Sequence, residues 1–357
     1  MNGYPSGGSN RPTESVKTMN LRPLNLLLFG TLLYLGGCIQ TDTAVVRSDR
    51  PSMVTYGRTT APNQTQILDL VAGERAAETG DFEDAIRIFE DLLSENPTLT
   101  DAYLGLGGVQ FQQGNYAGAE TSYARAARLE PLNFDAQYGH GQVLEALKRY
   151  SDAIRAYQRA LVIRPESLVA NIGISQSYLE TNRPESAIRF AEAAAALEPE
   201  RIETRLNLAL AYEQVGRFED AIAQYEVALE LGDTTEGLLL RVIGAYMKSK
   251  RWQEAANAAE TLIKIAPSAT AYERLGRALF RLRKYELSMD AYEQAVEIDP
   301  DNWPSLNGLG VNALNAWLNS GREDVQMALT ARESFHASLR INPDQPKLVE
   351  ILTSYSL

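Results

Sequence analysis

The sequence has very few of the side chains that most often hold metals or carry out covalent chemistry. One Cys among 357 residues excludes an intramolecular disulfide and a Cys-rich zinc site, and two His give a metal site or triad little support. Positive charge is also scarce, with 34 Lys and Arg against 46 Asp and Glu and a net charge of -12. This balance argues against a nucleic-acid partner. The apolar content of 45% is enough for a folded core.

Sequence patterns of common active sites are missing as well. We find no Gly-rich phosphate loop, no Gly-x-Ser-x-Gly turn, no His-Glu-x-x-His helix and no Asp-rich calcium loop. His140 takes an apolar slot before Gly141, and His336 falls on a predicted helix, so we interpret both as packing or surface residues. The sequence therefore predicts no enzyme activity, no cofactor and no metal site.

A strongly apolar run lies near the N-terminus, at residues 24–35, after Lys17 and Arg22. A helix of this length spans about 18 Å, well short of the ~30 Å hydrocarbon core of a bilayer. The length instead fits the apolar region of a secretory signal. We therefore interpret residues 1–37 as an export signal rather than a permanent membrane span.

The end of this run, Leu35-Gly36-Gly37-Cys38, resembles the lipobox of bacterial lipoprotein signal peptides. The resemblance implies cleavage before Cys38 and lipid attachment to its sulfur, so that the lipid binds the membrane. Because Ile39 is not acidic, the resemblance also favours the outer membrane, facing the periplasm. Two alternatives stay open: Cys38 is an incidental thiol, or the run is never cleaved and anchors an inner-membrane or cytoplasmic-side adaptor.

The residues around the apolar run complete the predicted N-terminal region. The segment before Leu24 is long for a signal of this kind, whereas a start at Met19 would give a compact signal peptide. We therefore hypothesise that translation begins at Met19. Residues 38–65 are rich in Thr, Ser, Arg and Pro and show neither helical nor strand periodicity. They predict a flexible, lipid-anchored linker.

From residue 66 the sequence repeats with a period of 34 residues. Proline recurs at this spacing from Pro97 to Pro199 and returns at Pro267 after Asp233. Apolar or small residues follow each repeat alanine four and seven positions later, which is the spacing of one helix face. The alanines that we predict to pack the repeats are Ala85, Ala119, Ala153, Ala187, Ala221 and Ala255.

A second helix is predicted in each repeat by a small residue twelve positions before the alanine, as at Gly107 and Gly141. Turns such as residues 113–116 and 215–218 separate the two helices and place Gly where left-handed backbone is needed. The eighth repeat contains about nine extra residues, so its helices should be longer. Asp233, beside Gly232, replaces the proline of the fifth repeat, which predicts a looser junction there.

The recurring alanine, proline and small-residue positions resemble those of the tetratricopeptide repeat, a helix–turn–helix unit of 34 residues. The resemblance implies an all-α fold, a right-handed superhelical solenoid of about eight antiparallel helix pairs over residues 66–345. Residues 346–357 should form a short C-terminal capping helix. The predicted units are 66–99, 100–133, 134–167, 168–201, 202–235, 236–268, 269–302 and 303–345.

The resemblance also implies a binding site, since the first helices of such arrays line a concave groove that takes a protein or peptide ligand. Groove positions inferred from the family are acidic in units one to five and basic in units six and seven. The alternative, that these are ordinary surface charges, stays open. The acidic candidates are Glu74, Glu78, Asp101, Asp135, Glu145, Glu180, Glu203 and Glu213, and the basic candidates are Arg241, Lys248, Arg274, Arg277 and Arg281.

Together these features predict a non-catalytic protein-interaction scaffold. Its layout of signal, lipobox, linker and repeats resembles lipoproteins that assist pilus or secretion machinery in Gram-negative bacteria. The resemblance implies a membrane-anchored periplasmic protein that holds partners in an envelope assembly, such as that machinery or cell-wall enzymes. An array of this kind could also form homo-oligomers through an end or its convex face.

Overall fold

The computed structural model describes residues 60–232 and 234–356, and Cys38 lies outside the described residues. Over these ranges the protein consists of seventeen α-helices without strands. The all-α prediction is confirmed. None of the helices in the described ranges has both the length and the apolar character needed to cross a bilayer.

The helices form eight antiparallel pairs followed by one terminal helix, which confirms the predicted solenoid with a capping helix. The first helices are α1 (Gln64–Thr79), α3 (Thr100–Gln112), α5 (Phe134–Ala146), α7 (Leu168–Glu180), α9 (Ile202–Gln214), α11 (Glu236–Lys248), α13 (Ala269–Arg281) and α15 (Trp303–Asn319). The second helices are α2 (Phe82–Glu95), α4 (Tyr116–Leu129), α6 (Tyr150–Ile163), α8 (Pro184–Leu197), α10 (Phe218–Leu231), α12 (Trp252–Ile265), α14 (Tyr285–Ile298) and α16 (Val325–Ile341). The terminal helix is α17 (Pro346–Tyr355).

The first helices of successive pairs contact one another as well as their own second helices. Contacts of this kind join α5 to α7 and α7 to α9, for example, whereas no comparable contact joins successive second helices in the described ranges. The first helices therefore lie closer together than the second helices. This difference curves the array and places the first helices on its concave side.

The fifth and eighth units depart from the regular pattern. Helices α15 and α16 have 17 residues each, against 13 in α13 and 14 in α14, because the eighth unit carries the extra residues. At the end of α10, Gly232 is extended, at φ -149° and ψ -172°. Its N–H makes no cap bond of the kind that Asn96 and Glu130 donate after α2 and α4.

Several second helices insert one large aromatic side chain between two first helices. In the second pair this side chain is Tyr123, and a Cβ added at Gly107 would lie 3.0 Å from its ring. A Cβ added at Gly139, on the next first helix, would lie 2.3 Å from the same ring. The ring thus fills the space that two missing side chains leave open. Further aromatics of this kind, with their glycines, are Phe89 with Gly73 and Gly105, Tyr157 with Gly141 and Gly173, and Tyr292 with Gly276 and Gly308.

In two units the second helix carries Ala at this register position, and the flanking positions of the first helices then hold residues larger than Gly. Where the aromatic position holds Ala259, the flanking positions hold Ile243 and Leu275, and all three belong to one apolar cluster. Where it holds Ala191, the flanking positions hold Ser175 and Asn207. Because protein cores are close-packed, a small residue in the second helix requires larger ones in the first helices.

The six repeat alanines are fully buried, with 0% of their surface exposed. A further set of contacts, which the sequence analysis did not select, joins α8 to α9 and α10 to α11. The hydroxyl of Tyr212 donates to Glu192 at 2.7 Å, and that of Tyr246 donates to Glu226 at 2.6 Å. Arg217 and Arg251 lie over these two rings at 4.3 and 4.7 Å from the ring centres, so each junction gains a cation–π contact.

The turn between the two helices of a pair contains a left-handed residue in every pair. Gly80, Gly114 and Gly216 occupy this position in three pairs, whereas Lys148 and Lys250 hold it with φ near 60°. Left-handed backbone brings a Cβ close to the following carbonyl oxygen, which destabilises any residue other than Gly. The turns with Lys therefore carry local strain that the packed helices on either side hold in place.

Replacing Lys250 by Gly should stabilise the protein, because the substitution removes the Cβ from a left-handed position. After deducting the greater freedom of Gly in the unfolded chain, we expect the free energy of unfolding to rise by up to about 1 kcal/mol. Urea denaturation followed by circular dichroism measures this change. The matched control is Gly216→Lys, which should lower the midpoint, and equal midpoints for both variants would contradict the strain.

Candidate functional site

A cavity of about 1250 Å³ lies on the concave side, with its walls formed mainly by α5, α7 and α9. Four of the predicted groove residues line it: Glu145, Glu180, Glu203 and Arg241. They come from four successive first helices, because the curvature of the array turns the same face of each helix inward. The structure thus brings together the central part of the predicted groove.

Glu145 is half-buried at this cavity and is held by a residue of the core. The hydroxyl of Tyr157 donates a hydrogen bond of 2.6 Å to its carboxylate. Burial raises the pKa of Glu145, the bond from Tyr157 lowers it, and repulsion from Glu180 raises it further. Neither Glu145 nor Glu180 pairs with a cation within residues 60–232 and 234–356. The two carboxylates therefore leave uncompensated negative charge in the cavity.

Aromatic rings line the cavity beside these two carboxylates. The rings of Tyr138 and Tyr157 lie 5.8 Å apart between centres, at an angle of 40°. Phe111 and Tyr150 contribute to the same wall. Burial raises the pKa of Tyr138, and the charge of Glu145 raises it further, which places this ring close to the carboxylate.

The other charged residues that line the cavity are Arg201, Glu203 and Arg241. Arg201 contacts Glu203 at 2.8 Å, so this carboxylate has a cationic partner. Tyr225 donates to Glu213 at 2.6 Å. Burial and Glu213 raise the pKa of Tyr225, whereas the nearby Arg241 lowers it, so Arg241 lies beside this tyrosine and its carboxylate.

The predicted basic cluster contains an acidic residue that sequence reasoning missed. Glu273, only 9% exposed, approaches Arg274 at 3.3 Å and Arg277 at 4.0 Å. Arg277 and Glu273 line a second cavity of about 330 Å³ against Tyr292. Arg281 instead lies over the ring of Trp252, at 5.5 Å from its centre. Glu273 thus offsets part of the positive charge expected in the seventh unit.

The remaining predicted residues lie outside both cavities. Partial burial of its carboxyl group, with Glu130 nearby, raises the pKa of Asp101, although the residue as a whole is exposed. Glu213 is half-buried beneath Tyr225, and Arg274 is half-buried beside Glu273. The exposed ones on α1, α3, α5 and α11 are Glu74, Glu78, Asp101, Asp135 and Lys248.

Asn207 is a cavity residue that the sequence analysis did not select as a site. It is only 3% exposed and lines the large cavity, yet its side-chain Nδ2 has no hydrogen-bond partner within the described residues. The signal that could have found it is the register position, which Gly139 and Gly173 occupy in earlier units. An amide that replaces Gly on the groove face adds a donor that Gly139 and Gly173 cannot supply.

His140 is half-buried on α5, where burial lowers its pKa, and its Nδ1 has no hydrogen-bond partner within the described residues. His336 is exposed on α16. Neither lies in the lining of the two cavities. Across residues 60–232 and 234–356, no three His, Cys, Asp or Glu side chains converge as metal ligands would.

The sequence model for the tetratricopeptide repeat matches the chain four times, at residues 70–129, 109–167, 173–234 and 245–302. These matches span well over half of the chain. The chain belongs to the tetratricopeptide repeat family. Members of this family typically act as scaffolds for protein interactions, and the concave groove is the corresponding surface of this array. No curated protein is significantly similar in sequence.

Solved structures provide partial likenesses. The MamA protein is 25% identical, with 47% of this chain and 91% of that chain covered and a TM-score of 0.45. PilF of Pseudomonas aeruginosa is 20% identical, with coverages of 58% and 94% and a TM-score of 0.49. A tetratricopeptide repeat protein of Parabacteroides merdae is 15% identical, with coverages of 70% and 99% and a TM-score of 0.49. The family assignment rests on the repeat matches.

The uncompensated charge of Glu145 predicts that the stability difference between the wild type and a variant without this charge depends on pH. Burial raises the pKa of Glu145 in the folded protein. This carboxyl group therefore favours folding most at low pH, and its contribution to stability is lost as the pH rises through its pKa in the folded state. Glu145→Gln keeps an acceptor for Tyr157 and removes the charge. The variant should therefore gain thermal stability relative to the wild type as pH rises from about 4.5 to 7.5.

The matched control for this measurement is Glu203→Gln, since Glu203 lines the same cavity but contacts Arg201. Thermal unfolding followed by circular dichroism compares the three proteins at each pH. A gap between Glu145→Gln and the wild type that stays constant with pH would contradict the assignment of uncompensated charge.

Proposed function

We propose that this tetratricopeptide repeat protein is a lipid-anchored periplasmic scaffold whose concave groove holds an extended segment of a partner protein. The observation that carries the binding role is the cavity of about 1250 Å³, lined by residues of successive first helices. A cavity of this kind offers polar and aromatic contacts along a path, which suits a peptide rather than a small substrate.

The proposed anchor rests on the sequence. The apolar run at residues 24–35 and Cys38 directly after two glycines support a lipoprotein signal. Several acyl chains on one residue give stable membrane binding, since each buried methylene contributes about 0.8 kcal/mol. The segment of residues 38–65 would then let the array reach partners away from the membrane. The proposed partners are components of an envelope assembly, such as pilus or secretion machinery or cell-wall enzymes.

The anchor is tested by growing cells with a palmitate analogue and following the label in the wild type and in Cys38→Ala. We expect label in the wild type, none in the variant, and release of the variant from the outer-membrane fraction. Unlabelled wild-type protein that retains residues 1–37 would instead indicate an uncleaved anchor at the inner membrane and overturn this part of the proposal.

The binding role is tested by placing a photo-crosslinking amino acid at Gln176, which lines the large cavity. The matched control carries it at Val162 on α6, which is 79% exposed and lies outside the cavity lining. We expect crosslinked partner protein with the probe at Gln176 and little or none at Val162. Equal capture at both positions would contradict a groove-bound partner.

A further inference from the structure

We propose that the groove recognises a Lys or Arg side chain of its partner between Glu145 and Glu180, while Asn207 donates to the backbone of the same segment. This inference rests on the proposed function, because it assigns the chemistry of a segment bound in that groove. We call Glu145, Glu180 and the rings of Tyr138, Tyr150 and Tyr157 the cation pocket. All five residues line the cavity of about 1250 Å³.

The first argument is charge. Glu145 and Glu180 repel each other, and within the described residues neither has a cationic partner. The half-buried carboxylate of Glu145 destabilises the folded protein because it lacks a counter-charge, and an arriving cation would remove that penalty, whereas Glu180 is exposed and adds attraction for the cation. By contrast, Glu203 in the same cavity already pairs with Arg201. The groove therefore selects positive charge at one end of the cavity rather than along its whole length.

The second argument is the surroundings of the two carboxylates. Tyr157 holds Glu145 in place through its hydroxyl at 2.6 Å, so the acceptor is already oriented. Aromatic faces attract ammonium and guanidinium groups and also pack against their apolar stems. The rings of Tyr138, Tyr150 and Tyr157 supply such faces in the same cavity. A long cationic side chain satisfies both the rings and the carboxylates, which an apolar side chain would not.

The third argument is independent of the acidic residues. Asn207 is only 3% exposed, and its Nδ2 has no hydrogen-bond partner within the described residues. A buried donor without a partner is destabilising, so a ligand that brings an acceptor gains the energy of satisfying it. The carbonyl oxygen of a peptide is such an acceptor. The donor therefore favours a peptide over a free amine, which could fill the cation pocket but has no carbonyl for Asn207.

The test uses a phage library of random dodecapeptides selected on the full chain in detergent. Selected peptides are synthesised with each Lys or Arg in turn replaced by norleucine, which keeps the apolar stem and removes the charge. Affinities are measured by fluorescence polarisation on the wild type, on Glu145→Gln/Glu180→Gln and on the control Glu203→Gln. Each peptide is also crosslinked to the chain that carries the photo-reactive residue at Gln176.

We expect peptides that share one Lys or Arg, whose replacement by norleucine weakens binding to the wild type at least tenfold. The double Gln variant should bind the original peptide at least tenfold more weakly and should discriminate norleucine from Lys only slightly. Glu203→Gln should stay within about twofold of the wild type, because its charge is already compensated. Circular dichroism checks that the variants fold, and the norleucine series on the wild type tests the inference independently of them.

Two other outcomes separate the inference from the proposed function. Peptides that crosslink at Gln176 but contain no required basic residue, and bind the double Gln variant as well as the wild type, would overturn the cation pocket and leave the groove as the binding site. Failure to select any peptide that crosslinks at Gln176 would contradict both the groove and the pocket.

Discussion

The insertion of one aromatic ring between two first helices sets the spacing of the array. At Tyr123, an added Cβ on either flanking helix would come within 2.3 to 3.0 Å of the ring, closer than van der Waals contact allows. The two helices can approach only because both positions are Gly. Each ring therefore contacts its own unit and the next one, and the order of units propagates along the chain through contacts of this kind.

The same constraint shapes the groove. The first-helix position that must be small beside an inserted ring lies on the concave side in several units. This restriction to a small residue is released where the second helix carries Ala instead of an aromatic. At Ala191 this release lets Asn207 take a position that Gly173 holds one unit earlier. The Asn207 donor of the proposed site thus arises at a departure from the repeat, because the matching positions of the two preceding units hold Gly139 and Gly173.

The sequence was sufficient to predict the fold because the recurring alanines and glycines mark the positions where helices pack within one unit and against the neighbouring unit. The prediction of charged groove residues was less complete for a physical reason. Glu273 lies next to Arg274 in sequence, and only the helix geometry shows that its buried carboxylate approaches two arginines. The bond between Tyr157 and Glu145 likewise joins two helices at a separation of twelve residues, which no single-helix periodicity reveals.

The most direct test of this account exchanges the volumes around one ring. Tyr157→Ala alone should lower the free energy of unfolding by about 3 to 5 kcal/mol, as for other large-to-small core substitutions. Adding Gly141→Ile and Gly173→Leu copies the arrangement of Ile243, Ala259 and Leu275 and should recover at least half of that loss. Urea denaturation of the single and triple variants decides the matter. A triple variant less stable than Tyr157→Ala alone would contradict the claim that complementary volumes hold successive units together.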